Sequence, residues 1–233
     1  MDGTRTYLVG ERRLAVIDPG PDVQAHVRAL VVAAADAEQV TIVLTHGHPD
    51  HAEAARPLAE RLGAEVLGPE MEGVVDRVIR DGDSVDTDHD RLIAVHTPGH
   101  TEDHLCFHLP SQRALFAGDL LLGAGDTTWV AEYEGCVADY FDSLARLREL
   151  ELRVVYPGHG PPLDDPAEAI DRFERHKRER VVQVEEALAA MSSDDMEDLL
   201  DRVYGDAIPS GLHGAAIRSV GALVDYLHGV RRS

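Results

Sequence analysis

Residues 45–51 read "THGHPDH", three histidines and one aspartate within six positions. Imidazole nitrogens and carboxylate oxygens are the donors a zinc-like cation takes, provided they converge within about 2 Å of one point. His46 and His48 lie two apart, so an extended backbone points both to one side. Asp50 and His51 come where the chain turns into a helix and should point elsewhere, so the loop reads as serving two neighbouring ions. Asp50 has a second use, as a helix N-cap. The same residue types recur downstream as His100 in "TPGHT", Asp119 in "AGD" and His159 in "YPGHG". Each closes an apolar run, and each sits beside a glycine, which lets the backbone crowd a shared centre.

These loops need strands to carry them to one edge. "TYLVG" and "RLAVIDPG" read as two strands joined by a turn at Gly10–Arg12. "VTIVLT", directly before the histidine loop, is apolar throughout, as in a sheet covered on both faces. "PDVQAHVRALVVAAADA" repeats apolar residues at helical spacing behind Pro21, and "PDHAEAARPLAERLG" reads as a helix restarted at Pro57 and stopped by Gly63. "AEVLG", "DRLIAVHTPG", "DHLCFHLP", "QRALFAGD" and "LRVVYPG" are further strands, and "CVADYFDSLARLREL" is an amphipathic helix. Active sites of layered α/β proteins lie at the C-terminal strand ends, where all four loops fall.

After the Pro-rich "GPPLDD" the pattern becomes wholly helical. A long helix opens at Pro166, and two shorter ones follow, with Ser193 or Asp194 and Ser210 as expected N-caps. Arg172, Arg175, Lys177, Arg178 and Arg180 form a basic run, but Glu174 and Glu179 interleave, which reads as a salt-bridged face. The apolar faces "VVQVEEAL" and "LVDYL" are expected to pack against the preceding part rather than to read nucleic acid.

Composition narrows the function. The chain has 233 residues, 44% of them hydrophobic, enough for a substantial core. It has no apolar run of membrane-spanning length, and its start lacks the apolar segment of a secretory leader, so a cytoplasmic protein is expected. The net charge of −21 argues against binding double-stranded DNA. Cys106 and Cys136 have no CxxC spacing and read as buried thiols.

"THGHPDH", "TPGHT", "AGD" and "YPGHG", in this order, resemble the metallo-β-lactamase superfamily over roughly residues 5–160. The resemblance implies an α+β fold, a four-layer αββα sandwich, with a catalytic domain over 1–165. It implies that His46, His48 and His100 hold one metal, that Asp50, His51 and His159 hold another, and that Asp119 bridges them. Asp18 in "IDPG" matches an aspartate that orients the ligands from behind. Two divalent ions are implied, zinc first, with manganese or iron also suited to such donors. Paired ions make hydroxide available at neutral pH, so hydrolysis follows, with Asp50 or Asp119 moving protons.

"TPGHTEDHLCF", "AGDLLLGAGDTTWV" and "HKRER" are similar to the lactamase-β-2-like branch, whose helical, winged-helix-like C-terminal domain would occupy 166–233. That likeness implies a single-stranded RNA substrate, with His104 donating to a substrate anion, or else serving as a plain strand-edge histidine. The acid-heavy surface departs from an RNA binder. The alternatives are a glyoxalase II-like thioesterase, a lactonase or other small-molecule esterase, and a single-iron persulfide dioxygenase, the last at odds with a complete second ligand set. A non-catalytic binding module is the reading from another class, but seven His/Asp donors leave coordination positions open, unlike a closed structural site. The helical tail would select substrates, cap the site mouth or form a homodimer.

Overall fold

The computed structural model describes residues 3–125, 127–192, 195–205 and 210–230. Two five-stranded sheets lie face to face. The first runs in the order β1 (Tyr7–Val9), β2 (Arg13–Ile17), β3 (Gln39–Val43), β4 (Glu65–Gly68) and β5 (Arg77–Val78). β1 is antiparallel to β2, and the remaining pairs are parallel. The second runs β10 (Val154–Pro157), β9 (Ala114–Gly118), β8 (Leu105–Leu109), β7 (Arg91–His96) and β6 (Ser84–Asp86), antiparallel except for β9 and β10.

Period-two alternation divides each strand between two cores. Ile17, Val43 and Leu67 meet Leu92, Ala94, Leu105, Phe107 and Phe116 between the sheets. Val16, Ile42, Leu44 and Val66 face the opposite way, onto α1 (Gln24–Ala33) and α3 (Ala55–Leu62). Val95, Cys106, Leu115 and Val155 turn outward from the second sheet onto α4 (Cys136–Arg148). Three apolar layers therefore separate four layers of structure, the expected αββα sandwich.

The third core continues without a break into α5 (Pro166–Ala190), α6 (Met196–Tyr204) and α7 (His213–Val230), through Phe173, Val184, Leu199, Val220 and Leu223. The tail is helical, and among the described residues no strand follows β10. The basic run of α5 is neutralised locally. Arg178 pairs with Glu174, which also takes Arg148, and Arg180 lies over the Tyr204 ring. Lys177 does not join that face: it is 5% exposed, its ammonium over the ring of Tyr140.

Several local expectations are corrected. α1 begins after Val23 rather than at Pro21. The helix after the histidine loop breaks at Glu53–Ala54, between α2 (Pro49–Ala52) and α3, and Pro57 sits inside the first turn of α3, where its missing N–H has no carbonyl to reach. His48, not Asp50, is the N-cap position of α2. Ser193 and Asp194 lie outside the described residues; α6 is capped by Asp195, whose side chain accepts from the N–H of Glu197 and Asp198. Ser210 opens a 3₁₀ turn before α7. β5 and β6 are too short to show in the sequence. Cys106 and Cys136 are free and buried.

Candidate metal centre

Five C-terminal strand ends meet at one rim: Asp18 after β2, the 45–51 loop after β3, His100 beyond β7, Asp119 after β9 and His159 after β10. The loop is fixed from below by Asp18, which takes the left-handed backbone conformation (φ 48°) otherwise favoured by glycine. Its carboxylate accepts the Thr45 N–H at 2.8 Å, the Thr45 hydroxyl at 2.7 Å and His51 Nδ1–H at 2.9 Å. Those three bonds hold the strained residue in place. The Thr45 hydroxyl donates to Asp18, so its oxygen accepts from His46 Nδ1–H at 2.9 Å.

The outer ring nitrogens of the other histidines are tied in the same way. His100 Nδ1–H donates to the Trp129 carbonyl at 2.9 Å, and His159 Nδ1–H to the Gly3 carbonyl at 3.1 Å. His48 is reversed: its Nε2–H donates to Glu132 Oε1 at 2.8 Å, leaving Nδ1 inward. Each ring therefore turns its other nitrogen to the centre, where His48 Nδ1 and His100 Nε2 stand 3.0 Å apart. Nε2 of His46, Nε2 of His51 and Oδ1 of Asp119 are buried without a hydrogen-bond partner. Buried polar atoms rarely go unpaired, and three of them on neighbouring residues fit a cation site.

The donors fall into three groups with ligand atoms within 4.8 Å of one another: His46, His48 and His100; His46, His51 and Asp119; Asp50, His51 and His159. The second group links the other two. Asp119 Oδ2 stands 3.7 Å from His100 Nε2 and 3.4 Å from His159 Nε2, and Oδ1 stands 3.4 Å from His51 Nε2. Asp50 Oδ2 lies 3.1 Å from His159 Nε2 and accepts from the Thr4 hydroxyl at 3.1 Å. All seven ligand candidates thus converge. Gly158 lets them do so: a Cβ there would lie 2.6 Å from Asp119 Oδ1 and 2.7 Å from His51 Cε1.

Charge across the donors is uneven. Burial, with His51 nearby, pushes His46 well below its usual range. Burial would lower His51 too, but the carboxylates of Asp18 and Asp119 outweigh it and raise the imidazole to about 10. Burial works to raise Asp119, and the His159 and His51 imidazoles, each 3.4 Å away, reverse this and hold it far below the carboxylate range.

His104 does not face the opening. It is fully buried, its Nε2 accepts the Asp119 N–H at 3.3 Å, and its Nδ1–H therefore donates to the Thr97 hydroxyl at 3.0 Å. Both nitrogens are occupied, so a substrate anion finds no donor there. Glu132 and the Trp129 carbonyl are functional groups that sequence reasoning missed. The centre opens past His48 into a cleft of about 480 Å³ whose rim carries Glu102, Asp103 and Glu132.

The family model "Metallo-beta-lactamase superfamily" matches residues 2–159. The chain is 31% identical to the Beta-lactamase-like protein 2 homolog of Caenorhabditis elegans over 94% of this chain and 77% of that protein. It is 30% identical to an atrochrysone carboxyl ACP thioesterase of Aspergillus fumigatus, over 94% of this chain and 69% of the relative. It spans only 60% of another relative, the lactamase-like protein aptB of Emericella nidulans. A crystal structure of a metallo-beta-lactamase family protein from Thermus thermophilus superposes with a TM-score of 0.77 at 25% identity, covering 97% of this chain and 88% of that one. The chain belongs to the metallo-beta-lactamase superfamily.

Proposed function

From that membership we propose a hydrolase that works with two divalent metal ions and cleaves a thioester or ester of a small molecule. The observation that carries the two-ion reading is the shared middle group of donors, His46, His51 and Asp119, which belongs to both ends of the cluster. His46, His48 and His100 would hold one ion, Asp50, His51 and His159 the other, and Asp119 would lie between. Zinc is the first candidate, with manganese and iron suited to the same donors. Bound ions supply Lewis acidity: they make water nucleophilic at neutral pH and draw off charge from the substrate oxygen.

The protein's own residues do the rest. Asp18 and Thr45 take the outer N–H of His51 and His46, so the inner nitrogens of both rings would face the ions. Asp50, about half exposed at the rim and paired on its inner side with His159, is placed to accept a proton from the attacking water and pass it to the leaving group. His104 is a positioning residue that fixes the Asp119 backbone.

A thioester or ester is preferred to RNA on two grounds. The rim of Glu102, Asp103 and Glu132 would repel a phosphate chain, and one relative is named as a thioesterase. The test is a panel given to the zinc- or manganese-loaded protein: acyl-glutathione, a lactone, a phosphodiester and single-stranded RNA. Cleavage of the thioester or lactone with RNA left intact supports the proposal. RNA cleavage with the thioester untouched overturns it in favour of the ribonuclease reading.

A further inference from the structure

The chain contains a single tryptophan, Trp129. Its backbone carbonyl takes the outer proton of His100, and Glu132, three residues on, takes the outer proton of His48. One loop, 127–135, therefore supports two of the three members of the all-histidine group, and neither Asp50, His51 nor His159. Those three are supported elsewhere, by Thr4, Asp18 and the Gly3 carbonyl.

The loop is irregular and has no sheet partner, so something else must hold it. On its near end Thr128 donates its hydroxyl to the Asp119 carbonyl. On its outer side stands the tail. The Arg218 guanidinium of α7 lies over the Trp129 ring, 5.3 Å from its centroid. Val130 and Tyr133 pack in the same apolar cluster as Val220 and Leu223 of α7. The stacked guanidinium is the contact by which a helix far along the chain reaches a loop at the metal rim, and both share one apolar cluster.

We infer that α7 governs occupancy of the three-histidine metal position, with Arg218 as a positioning residue acting through Trp129 and its loop on His100 and His48. The inference rests on the two-ion reading above and deepens it. It makes the two positions unequal: loosening the tail weakens the ion held by His46, His48 and His100 and spares the one held by Asp50, His51 and His159. It also makes Trp129 a reporter, because filling that position orders the carbonyl its own residue supplies.

The experiment is a zinc titration of the metal-stripped 233-residue chain, read by bound metal per chain and by tryptophan emission. Wild type should bind two ions, one of which changes the emission. R218A should keep one affinity and weaken the other by about tenfold or more, the range typical when a ligand's outer support is removed. Its emission should shift to the red before zinc is added and respond less to it. E132Q, at a rim side chain about one-third exposed, should weaken the same ion without touching the core, and it decides the matter should R218A fail to fold. R202A, which removes an exposed ion pair with Asp198 on α6, should leave both affinities unchanged. Two ions bound by R218A or E132Q with wild-type affinities, or both ions weakened in parallel, would overturn the inference. A wild type that binds fewer than two ions would instead overturn the two-ion reading beneath it.

Discussion

Asp119 is the residue on which the two halves of the centre depend. Its Oδ1 is buried without a partner, and its Oδ2 faces both His100 and His159. D119N keeps the shape and removes the charge, so turnover should fall by at least about a hundredfold while the melting curve stays cooperative. Full activity in D119N would remove Asp119 from the machinery. Gly158 makes a second test. A methyl there meets Asp119 and His51 at less than contact distance, so G158A should lower metal affinity by about tenfold or more, measured by equilibrium dialysis. An unchanged affinity would mean that the backbone has more freedom at this point than the packing indicates. At this scale the sequence was eloquent where a side chain is itself the candidate ligand: every histidine and aspartate of the cluster lies in a loop that follows an apolar run. It was silent where the support is a main-chain carbonyl, as at Trp129 and Gly3, because any residue type can supply one. Glu132 was missed because its loop has no periodicity to set it apart from the other surface acids. His104 looked like a substrate donor because sequence shows its spacing from His100 but not that Thr97 and Asp119 consume both its nitrogens.

Among the elements, the strands were easy to read because burial on both faces makes β9 an unbroken apolar run and the end of β3 nearly one, whereas the two- and three-residue β5 and β6 carry no pattern. α5 hides its most informative residue. In the sequence Lys177 reads as part of a basic run, yet a helix turns 100° per residue and brings it under Tyr140 while Arg178 points out. Burial lowers its ammonium from 10.5 to about 8. Below pH 8 folded and unfolded chains both hold the proton, and the folded state bears the full desolvation penalty, on the order of 3 kcal/mol. Between pH 8 and 10.5 the unfolded chain still holds a proton that the folded chain has released, so this penalty fades and stability rises with pH. K177M should therefore stabilise the protein at pH 7 by roughly 2 kcal/mol, after the lost contact with the Tyr140 ring is set against the gain. The gain should shrink by pH 10. Urea denaturation at the two pH values measures it, and a K177M protein less stable than wild type at pH 7 would show that the buried ammonium is satisfied after all.

The whole molecule is three apolar layers, and the outermost is shared by the second sheet, α4 and the helical tail. Cutting the chain after residue 165 would remove Tyr226 and Arg178 from the Phe141 ring and Lys177 from the Tyr140 ring of α4, and the shortened protein should aggregate or bind a hydrophobic dye where the full chain does not. A well-behaved monomer of 1–165 would mean that the tail is an accessory. The tail's helices were legible from spacing, but their target was not, since an apolar stripe does not say which surface it covers. The −21 charge is a property of the whole surface and agrees with the acidic rim of the cleft in disfavouring a phosphate-chain substrate. Among the described residues no helix is long and apolar enough to cross a membrane. The central proposal is a pair of ions at one sheet edge, and crystals grown with zinc test it directly by anomalous scattering at the metal edge. Two peaks are predicted, one enclosed by His46, His48 and His100 and one by Asp50, His51 and His159, with Asp119 between them. A single peak, or histidine rings turned away from an empty cavity, would contradict the account.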